Sequence, residues 1–182
     1  MLAKLIVCLA GMPGAGKSTI AEGLKSRGYD TVNMGDAVRE EAAKRGMTLS
    51  RENLGSLMLE LRREHGQGAV AELVRPKIES SAADVVLVDG IRSIEEVQAI
   101  RKFGNVRLLA VHASTNTRFD FLQRRGRPDD PQTRNHFVER DSRELGVGIS
   151  NPIALSDEAI SNTGMTKDEL VNTASRIIQG WL

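Results

Sequence analysis

The chain has 182 residues, of which 40% are hydrophobic and 27% charged, a balance that supports a packed core and excludes wholesale disorder. Its 25 lysines and arginines against 24 aspartates and glutamates leave a net charge of +1, so no overall field argues for DNA or an anionic membrane as partner. The lone cysteine, Cys8, excludes disulfide frameworks and multi-cysteine zinc sites within the chain, and 3% aromatics are few for a surface that stacks unpaired bases.

The apolar run Leu5 to Ala10 leads straight into glycine, which predicts a strand buried on both faces. It is too short for a signal-peptide core and far short of the about 20 apolar residues of a membrane span, so a soluble, cytoplasmic protein is expected. A helix is expected from Lys17 to about Arg27, stopped by Gly28, and Tyr29 to Met34 reads as a second, weaker strand. Asp36 to Arg45 reads as a helix ending at Gly46. Arg51 to Ala83 is helical in pattern, with breaks at Gly66 and Gly68 and a kink or new turn at Pro76. Asp84 to Val88 is a buried strand. Ser93 opens a helix, and Glu96 completes a capping box. Val106 to His112 is the next strand and Thr115 to Arg125 the next helix. A Pro/Asp/Arg-rich segment from Gly126 to Arg134 precedes a helix to Leu145. Glu158 to Ser161 reads as a short last strand, and Thr166 with Glu169 forms the capping box of a terminal helix.

Strands alternating with helices imply a parallel sheet covered on both faces. Two mostly helical inserts, 36–80 and 118–145, lack a core pattern of their own and read as flaps on that sheet.

Between the first strand and first helix lies Gly11-Met12-Pro13-Gly14-Ala15-Gly16-Lys17-Ser18, the spacing G-x-x-x-x-G-K-S of a phosphate-binding P-loop, in the strand–loop–helix context the motif requires. Glycines let several backbone N–H groups face one anion, and the helix start adds its dipole. Lys17 supplies a mobile charge for β- and γ-phosphates, and the Ser18 hydroxyl suits Mg²⁺. Thr19 stands where a dinucleotide fingerprint needs glycine, so the loop is no Rossmann match. Gly11 to Thr19 form the expected nucleotide site. Asp89, ending the Val85–Val88 strand, is the expected acid that holds Mg²⁺ directly or through water.

Three further segments resemble the adenylate-kinase-like nucleoside monophosphate kinases. Gly35-Asp36-Ala37-Val38-Arg39 is similar to their G-D-x-x-R, which implies that Arg39 grips the acceptor phosphate. Asp89-Gly90-Ile91-Arg92 resembles D-G-x-x-R with one residue fewer before the arginine, implying Arg92 as a second acceptor ligand. Gly126-Arg127-Pro128-Asp129-Asp130 looks like the lid sequence G-R-x-D-D, implying that Arg127 meets the transferring phosphate; Val138 stands where that family's next lid arginine is expected. Ser156 to Gly164 resembles the adenine-cradling segment of dephospho-CoA kinases, implying Asn162 and Gly164 as base contacts. Nearly the whole chain resembles an archaeal family of nucleotide-kinase-related proteins often described as dephospho-CoA-kinase-like. The resemblance implies a P-loop NTPase α/β fold: one kinase-like domain, a three-layer α/β/α sandwich on a five-stranded parallel sheet, with a helical acceptor flap and a helical lid.

The segment 118–145 is rich in arginine and carries nearly as many acids. Most of these charges read as solvated ion pairs, each worth about 0–1 kcal/mol. Arg124, Arg127 and Arg140 are the candidates for stabilising a phosphoryl group in transit, since planar guanidinium forks match its oxygens. Asp36 either caps its helix or orients an acceptor hydroxyl or magnesium water. Arg62-Arg63 reads as a solvated face rather than an acceptor contact. His65, His112 and His136 show no ligand spacing, and Cys8 belongs to strand packing.

These readings give an expected ATP- and Mg²⁺-dependent phosphotransferase. Its catalytic set is Lys17, Asp36, Asp89 and Arg127. Its nucleotide set is the loop with Arg124, Asn162 and Gly164, its acceptor set Asp36, Arg39 and Arg92, and its metal set Ser18 and Asp89. The acceptor is a small phosphate- or hydroxyl-bearing molecule, with no DNA or membrane partner. A dephospho-CoA kinase and a nucleotide-dependent binding switch with weak ATPase activity are the alternatives.

Overall fold

The structure, a computed structural model, describes residues 4–126 and 130–182. In chain order the elements are β1 (Leu5–Ala10), α1 (Lys17–Lys25), β2 (Asp30–Asn33), α2 (Met34–Lys44), α3 (Arg51–His65), α4 (Ala69–Ser80) and β3 (Val85–Ile91). There follow α5 (Ile94–Arg101), β4 (Asn105–His112), α6 (Thr115–Arg125), α7 (Arg134–Val147), α8 (Ser150–Ala154), β5 (Glu158–Ser161) and α9 (Lys167–Gln179). The five strands form one sheet in the order β2-β3-β1-β4-β5, and every pairing is parallel. The expected five-stranded α/β architecture is therefore the one observed. No helix of the described residues is long and apolar enough to cross a membrane.

Side chains of a strand alternate between faces, and β1 uses both of them. Ile6, Cys8 and Ala10 join Val86, Val88 and Leu108 in a core roofed by α2, α3, α4 and α5. Leu5, Val7 and Leu9 join Val85, Leu87, Leu109 and Val111 under α1 and α9. An isolated polar face exists nowhere along β1, and all six of its residues are buried, which is why the run carries no polar alternation. Removing one such side chain, as in Leu9→Ala, costs about 2–5 kcal/mol in a core this tightly filled.

The segment 36–80 packs on the sheet with no core of its own. Leu57, Leu61, Val70, Val74 and Ile78 are buried in the first core. The segment is thus part of one covering layer of the sheet, not a loose appendage, and α4 runs through Pro76. The apolar residues of α3 and α4 are buried against the sheet with those of α2 and α5.

Several boundaries also move. Asn33, not Asp36, caps α2: its side chain accepts the Asp36 N–H at 3.1 Å, placing Asp36 in the first turn. Strand β3 continues past Val88 to Ile91, because a bulge at Gly90 (φ 101°) lets Ala10 pair with Ile91. Ser93 caps α5 as expected, but Glu96 reaches the Arg92 N–H at 2.8 Å rather than closing a box on Ser93. The Thr166–Glu169 box is complete in both directions. Helix α8 had no forecast; the Gly148 cap (φ 104°) ends α7 and turns the chain into it.

Candidate functional site

In an open parallel sheet, ligands gather at the carboxyl ends of the strands where the chain order switches sides. Here the chain leaves β1 toward β2 on one side and later passes to β4 on the other. A cavity of about 720 Å³ lies at those strand ends. Gly11 reaches it from the loop after β1, Lys17 from the start of α1, Asn33 from β2, Asp89 from β3 with Arg92 just beyond it, and Asn162 from just after β5.

The loop curls tightly for a steric reason. A Cβ on Gly11 (φ 154°) would meet the Val111 carbonyl oxygen at 2.3 Å, and one on Gly16 (φ 112°) would meet Asn162 Nδ2 at 2.5 Å. Only glycine fits either place. Gly16 is also the cap of α1, which has no capping side chain and no acid in its first turn, so its leading N–H groups have no capping side chain. Lys17 Nζ donates to the carbonyls of Gly11 and Met12 at 2.5 and 3.3 Å. Burial pulls the Lys17 pKa below its ordinary value, while Asp89 and Glu144 work in the opposite direction.

Two neighbours brace the loop. Asn162 Nδ2, 3% exposed as a residue, donates to the Ala15 carbonyl at 2.9 Å. Arg118 donates to the Pro13 carbonyl at 3.1 Å and forks onto both oxygens of Asp141 at 3.0 and 2.5 Å. The Phe137 ring lies under the same guanidinium at 4.8 Å from its centroid. The seven-arginine segment thus contains one arginine that is a structural strut.

The Ser18 hydroxyl donates to Asp89 Oδ2 at 3.1 Å, and Asn33 Nδ2 approaches the same oxygen at 3.4 Å. One hydroxyl and one carboxylate converging on a phosphate-binding loop make a hard, all-oxygen donor pair, the kind that suits Mg²⁺ with its remaining places filled by water and phosphate. No group of three or more His, Cys, Asp or Glu among the described residues forms a closed metal cage, so a borderline-soft metal such as zinc has no site there.

Arg39 and Arg92, the expected acceptor contacts, both line the cavity. Arg39 is half exposed and pairs with Asp36. Asp36 itself does not line the cavity; its carboxylate is spent on Arg39. Arg92 Nε lies 3.5 Å from Glu144 Oε2, a carboxylate that α7 delivers into the same space. The guanidinium of Arg62, expected on a solvated face, is instead buried beside Glu96 with Nη2–Oε1 at 3.1 Å, while Arg63 stays 78% exposed. Arg62, Glu96 and Glu144 are among the cavity residues that sequence reasoning missed. A signal existed for Arg62: it follows Met58 by one helical turn, on the stripe that buries Leu57 and Leu61.

Among the lid candidates, Arg124 is exposed and lines the cavity. Arg125 and Arg140 both reach Asp130, whose side chain is 1% exposed, and Arg140 lines the cavity. Arg127 lies outside the described residues. Thr19 lines the cavity with the loop, whereas Gly164 sits in the turn after β5 and does not.

Comparison with known proteins agrees with this fold. A family model described as an AAA domain matches residues 10–137. A UPF0200 protein of Hyperthermus butylicus is 46% identical over 175 residues, covering 96% of this chain and 94% of that one. A UPF0200 protein of Pyrococcus horikoshii is 41% identical over 185 residues, covering 97% and 100%. Among solved structures, TT1252 from Thermus thermophilus superposes with a TM-score of 0.71 at 21% identity over 98% of each chain. A shikimate kinase from Acinetobacter baumannii, in complex with shikimate, superposes with a TM-score of 0.61 at 16% identity, covering 98% and 94%. At these identities the structural likeness speaks for fold, a P-loop kinase fold.

Proposed function

The chain belongs to the UPF0200 family and carries its AAA domain, and on that premise we propose that it is an ATP-dependent phosphotransferase acting on a small nucleotide-like acceptor. One observation carries the reading: a phosphate-binding loop with Ser18 hydrogen-bonded to Asp89 faces Arg39 and Arg92 across a single cavity.

The ATP triphosphate lies on the N–H groups of Gly11 to Thr19, with Lys17 turning from its own loop carbonyls to the β- and γ-phosphates. Mg²⁺, held by Ser18 and by Asp89 directly or through water, neutralises charge on those phosphates when bound. Arg39 and Arg92 hold the acceptor so that its oxygen attacks the γ-phosphorus in line as the bond to the β-phosphate oxygen breaks and ADP departs. Arg124, on the cavity wall, stabilises the moving phosphoryl group, where a single well-placed guanidinium contributes 10³–10⁵ in rate, about 4–7 kcal/mol, and Arg127, outside the described residues, is assigned the same role by its resemblance to the lid motif. A phosphate acceptor needs no base, so the exposed Asp36 acts by holding Arg39. An acceptor hydroxyl would instead call on it to orient the proton. The helical segments 36–80 and 118–145 serve as acceptor wall and lid of one kinase-like domain, in a cytoplasmic protein.

A coupled assay over AMP, CMP, UMP, GMP and dephospho-CoA tests the reading. Turnover with one acceptor, abolished in Lys17→Ala and raised in acceptor KM by Arg39→Ala, is the expected outcome. ATP hydrolysis unstimulated by any acceptor would overturn it in favour of a nucleotide-dependent switch.

A further inference from the structure

Arg62 is poorly satisfied for a buried cation. Its side chain is 9% exposed, and Nη2 donates to Oε1 of Glu96 at 3.1 Å. The other oxygen of Glu96 accepts the Arg92 N–H at 2.8 Å. Arg62 Nε is buried with no hydrogen-bond partner among the described residues. An orphaned buried N–H costs about 1–3 kcal/mol.

The same protein shows what a purely structural arginine looks like. Arg118 takes both oxygens of Asp141 and a backbone carbonyl, using its donors on protein acceptors. Arg62 places Nη2 on a single oxygen of Glu96, and its Nε–H has no partner among the described residues. Arg62 lines the central cavity, as do the apolar residues Val38, Met58 and Val70. Burial pushes the Glu96 carboxyl above its ordinary pKa, partly countered by the Arg92 N–H and by Arg62 itself, so this acid is a reluctant counter-ion.

We propose that Arg62 is an acceptor-reading residue: it takes an anionic oxygen, of a carboxylate or a phosphate on the acceptor, with Glu96 holding the guanidinium in place and the apolar wall receiving the body of that molecule. The proposal rests on the phosphotransferase reading and narrows it. The acceptor carries negative charge next to an apolar portion, and a neutral analogue is rejected because it leaves the Arg62 N–H groups unpaired. Arg62 then works alongside Arg92, to which it is joined through the two oxygens of Glu96.

Nuclear magnetic resonance on the full chain tests this, using the Arg62 Nε–Hε signal assigned through bonds. Saturating MgADP fills the loop, its binding measured separately by calorimetry in the wild type and in Lys17→Ala. Sodium phosphate, sodium acetate and sodium chloride are then titrated at equal ionic strength, followed by AMP and adenosine. The signal is expected to move with phosphate or acetate and with AMP, but not with chloride or adenosine. A response to phosphate alone assigns a phosphoryl group, and a response to acetate assigns a carboxylate. Arg62→Lys is expected to weaken binding of the responding anion at least tenfold, with Arg63→Lys unchanged. If MgADP binds yet no anion moves the Arg62 signal, the proposal is overturned and the phosphotransferase reading stands. If MgADP does not bind, the phosphotransferase reading falls first and takes Arg62's acceptor role with it.

Discussion

Gly16 concentrates the demands of the loop in one residue. Its left-handed backbone and the Asn162 amide at 2.5 Å from a would-be Cβ both exclude a side chain. Gly16→Ala is expected to cost about 1–3 kcal/mol of stability and to weaken nucleotide binding further, since Asn162 must leave Ala15 to make room; urea melts and ATP calorimetry read the two effects separately. Glu96 supplies a pH signature. Its folded pKa is raised by burial above the ordinary 4.5, so the folded protein binds the extra proton. The stability this contributes is full below pH 4.5 and fades as pH rises through the folded value. Glu96→Gln does not titrate, so the variant should gain on the wild type as pH rises. In a urea series from acid to neutral pH, wild type minus variant falls as pH rises, and a flat or rising difference would contradict the burial of that carboxyl. Cys8 is also buried, with its thiol pKa driven far up by desolvation, which leaves it inert as a nucleophile.

At the scale of elements, Arg118 and Asp141 link α6, α7 and the loop backbone at Pro13. Asp141→Asn keeps the shape and removes the charge. It is expected to lower ATP affinity several-fold without unfolding the protein, because Arg118 then loosens its hold on the loop; hydrogen exchange at Gly14 and Ala15 reports the loosening. The legible part of the chain was the part governed by local rules. Strand β1, the loop and the start of α1 follow from an apolar run, glycine spacing and a lysine, and β5 spans the expected Glu158–Ser161. Strand β3 was cut short because Asp89-Gly90 looks like a turn, and only pairing of Ile91 with Ala10 carries the strand onward. Arg62 and Glu96 were misassigned because a charged residue on a helix is solvated unless tertiary packing turns it inward, and Glu96 carried a ready local explanation as a cap. Helix α8 spans Ser150–Ala154 with Pro152 inside it, too short for any periodicity to register.

For the molecule as a whole, binding at the strand ends joins residues from the loop after β1, from β2 and β3, from the turn after β5, and from helices that include α1, α3 and α7. A ligand held by so many elements stabilises all of them against unfolding. At a hundredfold excess over Kd, MgATP should add about 2.7 kcal/mol, or roughly 5–10 °C in Tm for a chain of this size. Lys17→Ala should show almost none of this gain, and an equal gain in that variant would mean that the nucleotide binds elsewhere.

The two-faced packing of β1 leaves the strand no slack in register. Ile6, Cys8 and Ala10 serve one layer while Leu5, Val7 and Leu9 serve the other. Inserting or deleting a single residue would swap the tenants of both layers in one stroke and pull Gly11 half a pleat away from Val111. Point substitutions in β1 can be absorbed one face at a time; a change in its length is felt in three places at once.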